Sequence, residues 1–156
     1  MLLRRLGTVL LLGGLLHAGN FSLLDYRLEA LKEKKTVDLK VYRGKPLYMT
    51  FYKTDCRWCV KQLAAFEKVV HSEEGAKIHV VAVALGSDTV QLRKMAGTVS
   101  FEAVRASEEL LHDIGGVSMT PYTLVTDAEG NFKTKIVGYQ NSEALKNIIS
   151  KKETNR

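Results

Sequence analysis

The order of apolar and polar residues along the chain predicts six strands. Two segments, 47–52 and 78–85, are almost uninterrupted apolar runs, which is typical of central strands covered on both faces. In residues 37–42, apolar and polar residues alternate, as they do in a half-buried strand. The other three predicted strands are short apolar segments, 101–105, 122–126 and 132–137, and the turn-rich residues 127–130 join the last two as a hairpin.

Helical spacing of apolar residues predicts five helices. The first covers 22–34, where Leu24, Leu28 and Leu31 lie on one face after a capping-box-like start at Ser22. The second follows Asp55 and ends near residue 75. Its apolar stripe consists of Cys59, Leu63, Phe66 and Val70. The remaining helices are predicted at about 88–97, at 107–114, and from residue 141 or 142, the last burying Leu145, Ile148 and Ile149.

This order of elements predicts an α/β fold with a mixed central sheet flanked by helices, preceded by the N-terminal helix of residues 22–34. The chain of 156 residues is long enough for one hydrophobic core but not for two. Since no repeat, linker or low-complexity stretch interrupts it, we expect residues 20–156 to form a single domain.

The first nineteen residues have the composition of a secretory signal. A basic start, 1–5, precedes the uncharged apolar run 6–16, and residues 17–20 are small or polar. An apolar run this short does not comfortably span a membrane as a helix. Cleavage is expected after residue 18 or 19. The third residue before the cut would then be Leu16 or His17 rather than the preferred small residue, so an uncleaved anchor remains an alternative. We therefore expect an exported, periplasmic protein, soluble or anchored at its N-terminus.

The charge is basic overall but dispersed. Lysine and arginine number 23 against 17 acidic residues, which gives a formal net charge of +6. Basic residues alternate with acids along the chain, and no aromatic RNA-binding motif accompanies them. We therefore predict no nucleic-acid partner, although the positive excess favours encounters with acidic protein surfaces.

The chain contains two cysteines, Cys56 and Cys59, where a predicted buried strand meets the start of a helix. Three-residue spacing on a helix brings two side chains within disulfide reach. Cys56 lies near the positive end of the helix dipole and beside Arg57, although Asp55 opposes this effect, so we expect its thiol pKa to lie below ~8.5. Cys59 begins the buried stripe. This asymmetry predicts that Cys56 attacks a partner disulfide and that Cys59 resolves the mixed disulfide.

The cysteine pair has two other interpretations. A zinc site needs about four ligands, and His71, His79 and His112 show no pairing with the motif. A purely structural disulfide remains an alternative in an exported protein, but closing so short a loop removes little entropy from the unfolded chain. We therefore predict redox chemistry that needs no metal and no organic cofactor.

Four segments match the pattern of a known family, and the likeness extends from about residue 37 to residue 149. They are the Gly-Lys-Pro and apolar strand of 44–52, the Cys56–Cys59 pair, the segment 114–121 ending in Thr120-Pro121, and the hairpin 127–138. Together they resemble the thioredoxin superfamily and, within it, the exported TlpA-like thiol–disulfide oxidoreductases. The resemblance implies a thioredoxin fold.

The resemblance also implies a substrate-binding role for three residues. It implies that the Thr120-Pro121 bond is cis and lies against the cysteines, with the Thr120 backbone free to pair with a peptide. Trp58 would then be an exposed aromatic ring for partner contact. The alternatives are that Pro121 merely starts an edge strand and that Trp58 fills the core.

The chain departs from the superfamily pattern around the motif. Asp55 and the Arg57-Trp58 pair replace a usual tryptophan and Gly-Pro, and Tyr122 follows the proline where threonine is common. Thr50 stands where cytosolic thioredoxins have a buried acid, which leaves water, Lys53 or Glu129 to receive the proton of Cys59.

The resemblance implies the following function. The protein would be an exported, monomeric reductase that acts on cysteines of other exported proteins and draws electrons from a membrane partner. The alternatives are a disulfide donor and a non-catalytic binding module with a structural disulfide.

Overall fold

The computed structural model describes residues 22–154, and the predicted targeting segment 1–19 lies outside this range. The elements of the described chain alternate between strands and helices along most of its length. They are β1 (Arg27–Glu29), β2 (Thr36–Asp38), β3 (Leu47–Tyr52), α1 (Arg57–Val70), β4 (His79–Ala84), α2 (Thr89–Ala96), β5 (Glu102–Arg105), α3 (Glu108–Asp113), β6 (Tyr122–Thr126), β7 (Phe132–Val137) and α4 (Ser142–Thr154). Among these residues, no helix combines the length and the apolar character needed to cross a membrane.

The main sheet has five strands in the order β5-β4-β3-β6-β7. Strands β3, β4 and β5 are parallel, whereas β6 pairs antiparallel with both β3 and β7. Because β3 lies at the centre, both of its faces are covered and all six of its residues are buried. A separate two-stranded sheet, β1-β2, lies beside β5 through a bridge between Ala30 and Val104.

Successive residues of β3 pack against different layers, as the pleat of a strand requires. Met49 and Phe51 join the core cluster that contains the N-terminal segment and Leu110 of α3. Tyr48 packs with Phe66 of α1 and with α4. Tyr52, at the end of the strand, belongs to a third cluster that also contains Cys59. The sheet therefore separates α1, which carries the cysteines, from the layer that contains α3.

The sequence predicted most of these elements correctly. Strand β3 and the hairpin strands β6 and β7 have the predicted limits, and α2 and α3 lie within the predicted helices. The stripe on α1 is also buried, except that Val69 replaces the half-buried Val70 as its last core residue. On α4, Leu145 and Ile149 are buried, whereas Ile148 is only partly so.

The predicted N-terminal helix of residues 22–34 is wrong. The segment contains β1, and its buried residues Leu24, Tyr26, Leu28 and Ala30 alternate with exposed ones. Leucines four and three residues apart fit a helix, but every second residue from 24 to 30 is apolar as well. Pairing of Leu28 with Val37 and the bridge to β5 favour the strand, because they satisfy the backbone against the sheet.

The predicted strand 37–42 is only partly correct. Strand β2 ends at Asp38, whose carboxylate accepts a hydrogen bond from the Lys40 backbone N–H at 3.0 Å and begins a 3-10 turn, Leu39–Tyr42. Val41 is consequently 70% exposed rather than half-buried. A local side-chain bond to the backbone therefore overrode the alternating pattern.

Candidate active site

The link between β3 and α1 places the two cysteines at the carboxyl end of the central strand. Asp55, in this link, has a φ of 56°, in the left-handed region. Cys56 is the N-cap residue of α1, and its Sγ accepts a hydrogen bond from the Cys59 backbone N–H at 3.1 Å. The sulfur therefore lies against the positive end of the helix.

Cys56 and Cys59 form a disulfide with a Cα–Cα distance of 5.2 Å. Their environments differ. Cys59 is fully buried among Tyr52, Leu63 and Ala82, whereas Cys56 is only partly buried. An attacking thiol can therefore reach Cys56 from outside but cannot reach Cys59.

Thr120 and Pro121 lie directly against Cys56. Their peptide bond is cis, and the Thr120 Oγ1 donates to Cys56 Sγ at 3.5 Å, while the Thr120 carbonyl oxygen lies 3.7 Å from the same sulfur. Pro121 is buried and precedes β6, which lies between β3 and β7 and is not an edge strand. Within residues 22–154, no acceptor binds the Thr120 backbone N–H.

Trp58 lies on the surface beside the disulfide, with 43% of the residue exposed. Its ring packs at 32° to the ring of Tyr139, with 5.4 Å between the ring centroids. Two cations lie over the same ring: Arg57 Cζ is 5.1 Å and Lys61 Nζ 4.5 Å from its centroid. Tyr139 and Lys61 were not among the predicted site residues, and Tyr139 is too distant in sequence for spacing to reveal it.

A shallow groove of about 460 Å³ opens beside Cys56. Its walls come from the link before α1, the first turn of α1 and the loop before Pro121. The lining residues are Lys53, Asp55, Cys56, Arg57, Trp58, Ser118, Met119 and Thr120. Three of the five predicted site residues, Cys56, Trp58 and Thr120, line the groove, whereas Cys59 and Pro121 are buried and do not. Ser118 and Met119 also line the groove, although they were not among the predicted site residues.

Thr50, which replaces the buried acid of cytosolic thioredoxins, and the two candidate acceptors of the Cys59 proton, Lys53 and Glu129, occupy different parts of the molecule. Thr50 is buried, and its hydroxyl oxygen accepts a hydrogen bond from Thr123 Oγ1 at 3.1 Å. Lys53 lines the groove. Glu129 lies in the β6–β7 turn, at the end of the sheet opposite to Cys56, because Leu47 at the start of β3 bonds Thr126. The suggestion that Glu129 serves the cysteines is therefore wrong.

The three histidines of the described chain lie apart from the groove. His71 contacts Glu67, His112 contacts Asp113, and His79 packs against Tyr42. Among residues 22–154, no three His, Cys, Asp or Glu side chains are grouped as a metal site requires.

A mixed five-stranded sheet, a disulfide at the start of its first long helix and a cis Thr-Pro loop facing that disulfide define a thioredoxin-fold protein. Comparison with known sequences agrees with this class. The chain belongs to the thioredoxin-like domain family, whose sequence model matches residues 34–153. The match covers nearly all of the residues that form the fold.

Several known proteins are similar to this chain over most of its length. Thiol-disulfide oxidoreductase ResA of Bacillus thuringiensis is 22% identical over 137 residues, which cover 86% of this chain and 76% of the relative. ResA of Geobacillus thermodenitrificans is 24% identical over 107 residues, which cover 67% and 62%.

Solved structures share the fold at low sequence identity. A thiol:disulfide interchange protein of Chlorobium tepidum superposes with a TM-score of 0.74 at 19% identity, covering 86% of this chain and 97% of its own. A secreted disulfide oxidoreductase of Mycobacterium tuberculosis has a TM-score of 0.68 at 15% identity, with coverages of 82% and 96%.

Proposed function

We propose that the protein is an exported thiol–disulfide oxidoreductase that reduces disulfides in other exported proteins. Cys56 is the attacking cysteine and Cys59 the resolving one. Trp58, Thr120 and Pro121 bind the substrate beside them. The protein works as a monomer and receives its electrons from a membrane redox partner.

The reaction starts from the reduced pair. The Cys56 thiolate attacks one sulfur of the substrate disulfide, which forms a mixed disulfide and releases the other sulfur as a thiolate that takes a proton from water. Cys59 loses its proton to water in the groove and attacks Cys56 Sγ, which releases the second substrate thiol. Two electrons pass to the substrate, and the Cys56–Cys59 disulfide remains until a partner dithiol reduces it.

The observation that carries this proposal is the unequal burial of the two sulfurs. Cys59 is fully buried, whereas Cys56 opens into the groove. A disulfide that only stabilised the fold would not need one sulfur at the surface beside a free backbone N–H. The Thr120 carbonyl oxygen and hydroxyl lie next to Cys56 Sγ, and the Thr120 N–H, which has no acceptor within residues 22–154, can pair with an extended peptide as an added strand.

Turnover with an insulin substrate tests the enzymatic role. Wild-type protein supplied with dithiothreitol should accelerate insulin reduction, and Cys56→Ser should reduce the rate to that of dithiothreitol alone. Ser107→Ala, which removes the N-cap side chain of α3 away from the groove, is the control and should retain the wild-type rate. Equal rates for wild type and Cys56→Ser would overturn the proposal and favour a binding module with a structural disulfide.

Trapping tests the division of labour between the cysteines. Cys59→Ser should accumulate mixed disulfides with exported proteins, because the resolving thiol is missing. Cys56→Ser should trap none, because Cys59 is inaccessible. Trapping by Cys56→Ser but not by Cys59→Ser would reverse the assignment.

Two further measurements test the direction of electron flow and the export. The equilibrium constant of the Cys56–Cys59 pair with glutathione gives the reduction potential of the pair, which should lie below that of disulfide donors. A potential near that of DsbA, about −120 mV, would instead indicate a donor.

For export, a fusion of residues 1–19 to alkaline phosphatase, an enzyme active only outside the cytosol, should be active. An inactive fusion would contradict export by this segment.

A further inference from the structure

The groove beside Cys56 is surrounded by more positive than negative charge. Lys53 and Arg57 line it, and Lys61 lies one turn further along α1 over the ring of Trp58. All three are exposed, and Asp55 is the single carboxylate in the lining. Among the side chains that the structure describes, no acidic group lies within ion-pair distance of these three cations.

The charges in the first turns of α1 are not the ones that its helix dipole favours. The first turn of the helix contains no acidic residue, although acids are the residues that the positive end of a helix dipole favours. Arg57 and Lys61 are four residues apart on the helix, a spacing at which like charges repel. Both also lie over the same Trp58 ring, within about 5 Å of its centroid. A negatively charged group bound between them would relieve this repulsion.

The groove also has an apolar border suited to a peptide. Met119, next to Thr120, is 51% exposed, and Trp58, two residues after Cys56, is 43% exposed; both line the groove. Methionine is flexible and adapts to different side chains, whereas the Trp58 ring is held by Tyr139. Thr120 lines the same groove, and its N–H has no acceptor within the described chain.

We infer that the groove selects substrate segments in which aspartate or glutamate flanks the cysteine that Cys56 attacks. This inference rests on the proposed oxidoreductase function and adds its substrate preference. Lys53 and Arg57 attract the acidic side chains on entry, and Arg57 and Lys61 hold one of them beside Trp58. Because these groups are exposed, we expect the preference to depend strongly on salt.

Two peptides test the preference. Both carry one cysteine in a disulfide with glutathione and differ only at the two residues on each side of it, which are Glu in one and Lys in the other. The reduced protein should react about tenfold faster with the Glu peptide at low ionic strength. The ratio should fall toward one at about 1 M salt, where the Debye length is about 3 Å. Each rate is divided by the rate of the same peptide with dithiothreitol, which corrects for its intrinsic reactivity.

Variants that remove positive charge test whether the groove causes the preference for the Glu peptide. Arg57→Gln/Lys61→Gln should lower the Glu-to-Lys ratio to about threefold or less. Lys68→Gln/Arg93→Gln removes the same charge from exposed positions outside the groove and should keep the wild-type ratio. The ratio is the readout, because losing a cation beside Cys56 also changes its reactivity toward both peptides.

The outcomes separate this inference from the proposed function. If wild type reacts with both peptides at equal corrected rates in low salt, the acidic preference is overturned and the oxidoreductase function stands. The same holds if both double variants lower the ratio equally, since net charge rather than the groove would then decide. If wild type reacts with neither peptide and does not reduce insulin, the proposed function itself fails.

Discussion

The side-chain amide of Gln62 holds the backbone of Gln140 at both of its polar groups. Its Oε1 accepts a hydrogen bond from the Gln140 N–H at 2.8 Å, and its Nε2 donates to the Gln140 carbonyl at 3.2 Å. Gln62 is 2% exposed and lies one turn after Cys59 on α1. Since Tyr139 precedes Gln140 and packs on Trp58, this pair of bonds links α1 to the residue that supports the aromatic border of the groove.

We predict that Gln62→Met destabilises the protein and alters the surroundings of Trp58. Methionine has a similar volume but leaves the Gln140 N–H and C=O without their partner, which costs about 1–2 kcal/mol in free energy of unfolding. Urea unfolding measures this loss. Trp58 is the one tryptophan of the sequence, so the tryptophan fluorescence reports the packing of Tyr139 on its ring. We expect the emission maximum of Gln62→Met to be shifted.

The matched control for this change is Gln91→Met on the exposed side of α2, which should leave both signals unchanged. An unfolding free energy and emission maximum that are the same for Gln62→Met and wild type would show that Gln62 does not hold Tyr139 in place.

The hydroxyls of Thr50 and Thr123 form a buried pair between the central strand β3 and its neighbour β6. We predict that Thr50→Val and Thr123→Val each destabilise the protein by about 1–2 kcal/mol, because one buried hydroxyl loses its partner. The double variant should be less destabilised than the sum of the two, since no unpaired hydroxyl remains. A double-mutant cycle of urea midpoints measures the coupling, and additive losses would contradict it.

The two thiols of the reduced protein should react with iodoacetamide at different rates. Cys56 lines the groove and its sulfur lies at the start of α1, whereas Cys59 is fully buried. We predict that brief exposure near neutral pH alkylates Cys56 at least about tenfold faster, since both access and thiolate character favour it. Peptide mass spectrometry after quenching measures the ratio. Comparable labelling of both residues in wild type would remove the physical basis for their different roles.

The sequence predicted the strand–helix junction of Cys56 and Cys59 and the later Thr120-Pro121 because each depends on local pattern or on motif. Elements defined by contacts across the fold were not predictable in this way. Tyr139 contacts Trp58, and Gln140 contacts Gln62, across the region where α4 packs on α1, and these residues are about 80 positions apart in the chain.

The incorrect N-terminal helix has a related cause. The leucines of 24–31 satisfy both a helical and an alternating pattern, and the choice between them depends on Val37 and Val104, which are supplied by other parts of the chain. Local spacing alone therefore could not decide between the two structures. Local sequence also could not exclude Glu129 as a partner of the cysteines. Only the register of β6 against β3 shows that the β6–β7 turn, which contains Glu129, lies at the end of the sheet opposite to Cys56.

The stability of the protein should fall at mildly acidic pH because of His79. Burial lowers the pKa of His79 below its usual value of 6.5, and the nearby positive charge of Lys45 lowers it further. Its ring packs against Tyr42 at 5.3 Å between centroids. As the pH falls, the unfolded chain therefore takes up a proton at His79 before the folded protein does. The contribution of neutral His79 to the free energy of unfolding is complete above about pH 6.5 and is lost as the pH falls toward the folded-state pKa.

We expect the urea midpoint of wild type to decrease between pH 7.5 and pH 5.5 more than that of His79→Gln, which cannot take up this proton. Lys45→Gln removes the smaller of the two causes, so its pH dependence should lie between those of wild type and His79→Gln. Measurements on the oxidised protein keep the cysteines out of the titration. A wild-type slope no steeper than that of His79→Gln would show that the histidine does not titrate differently in the two states.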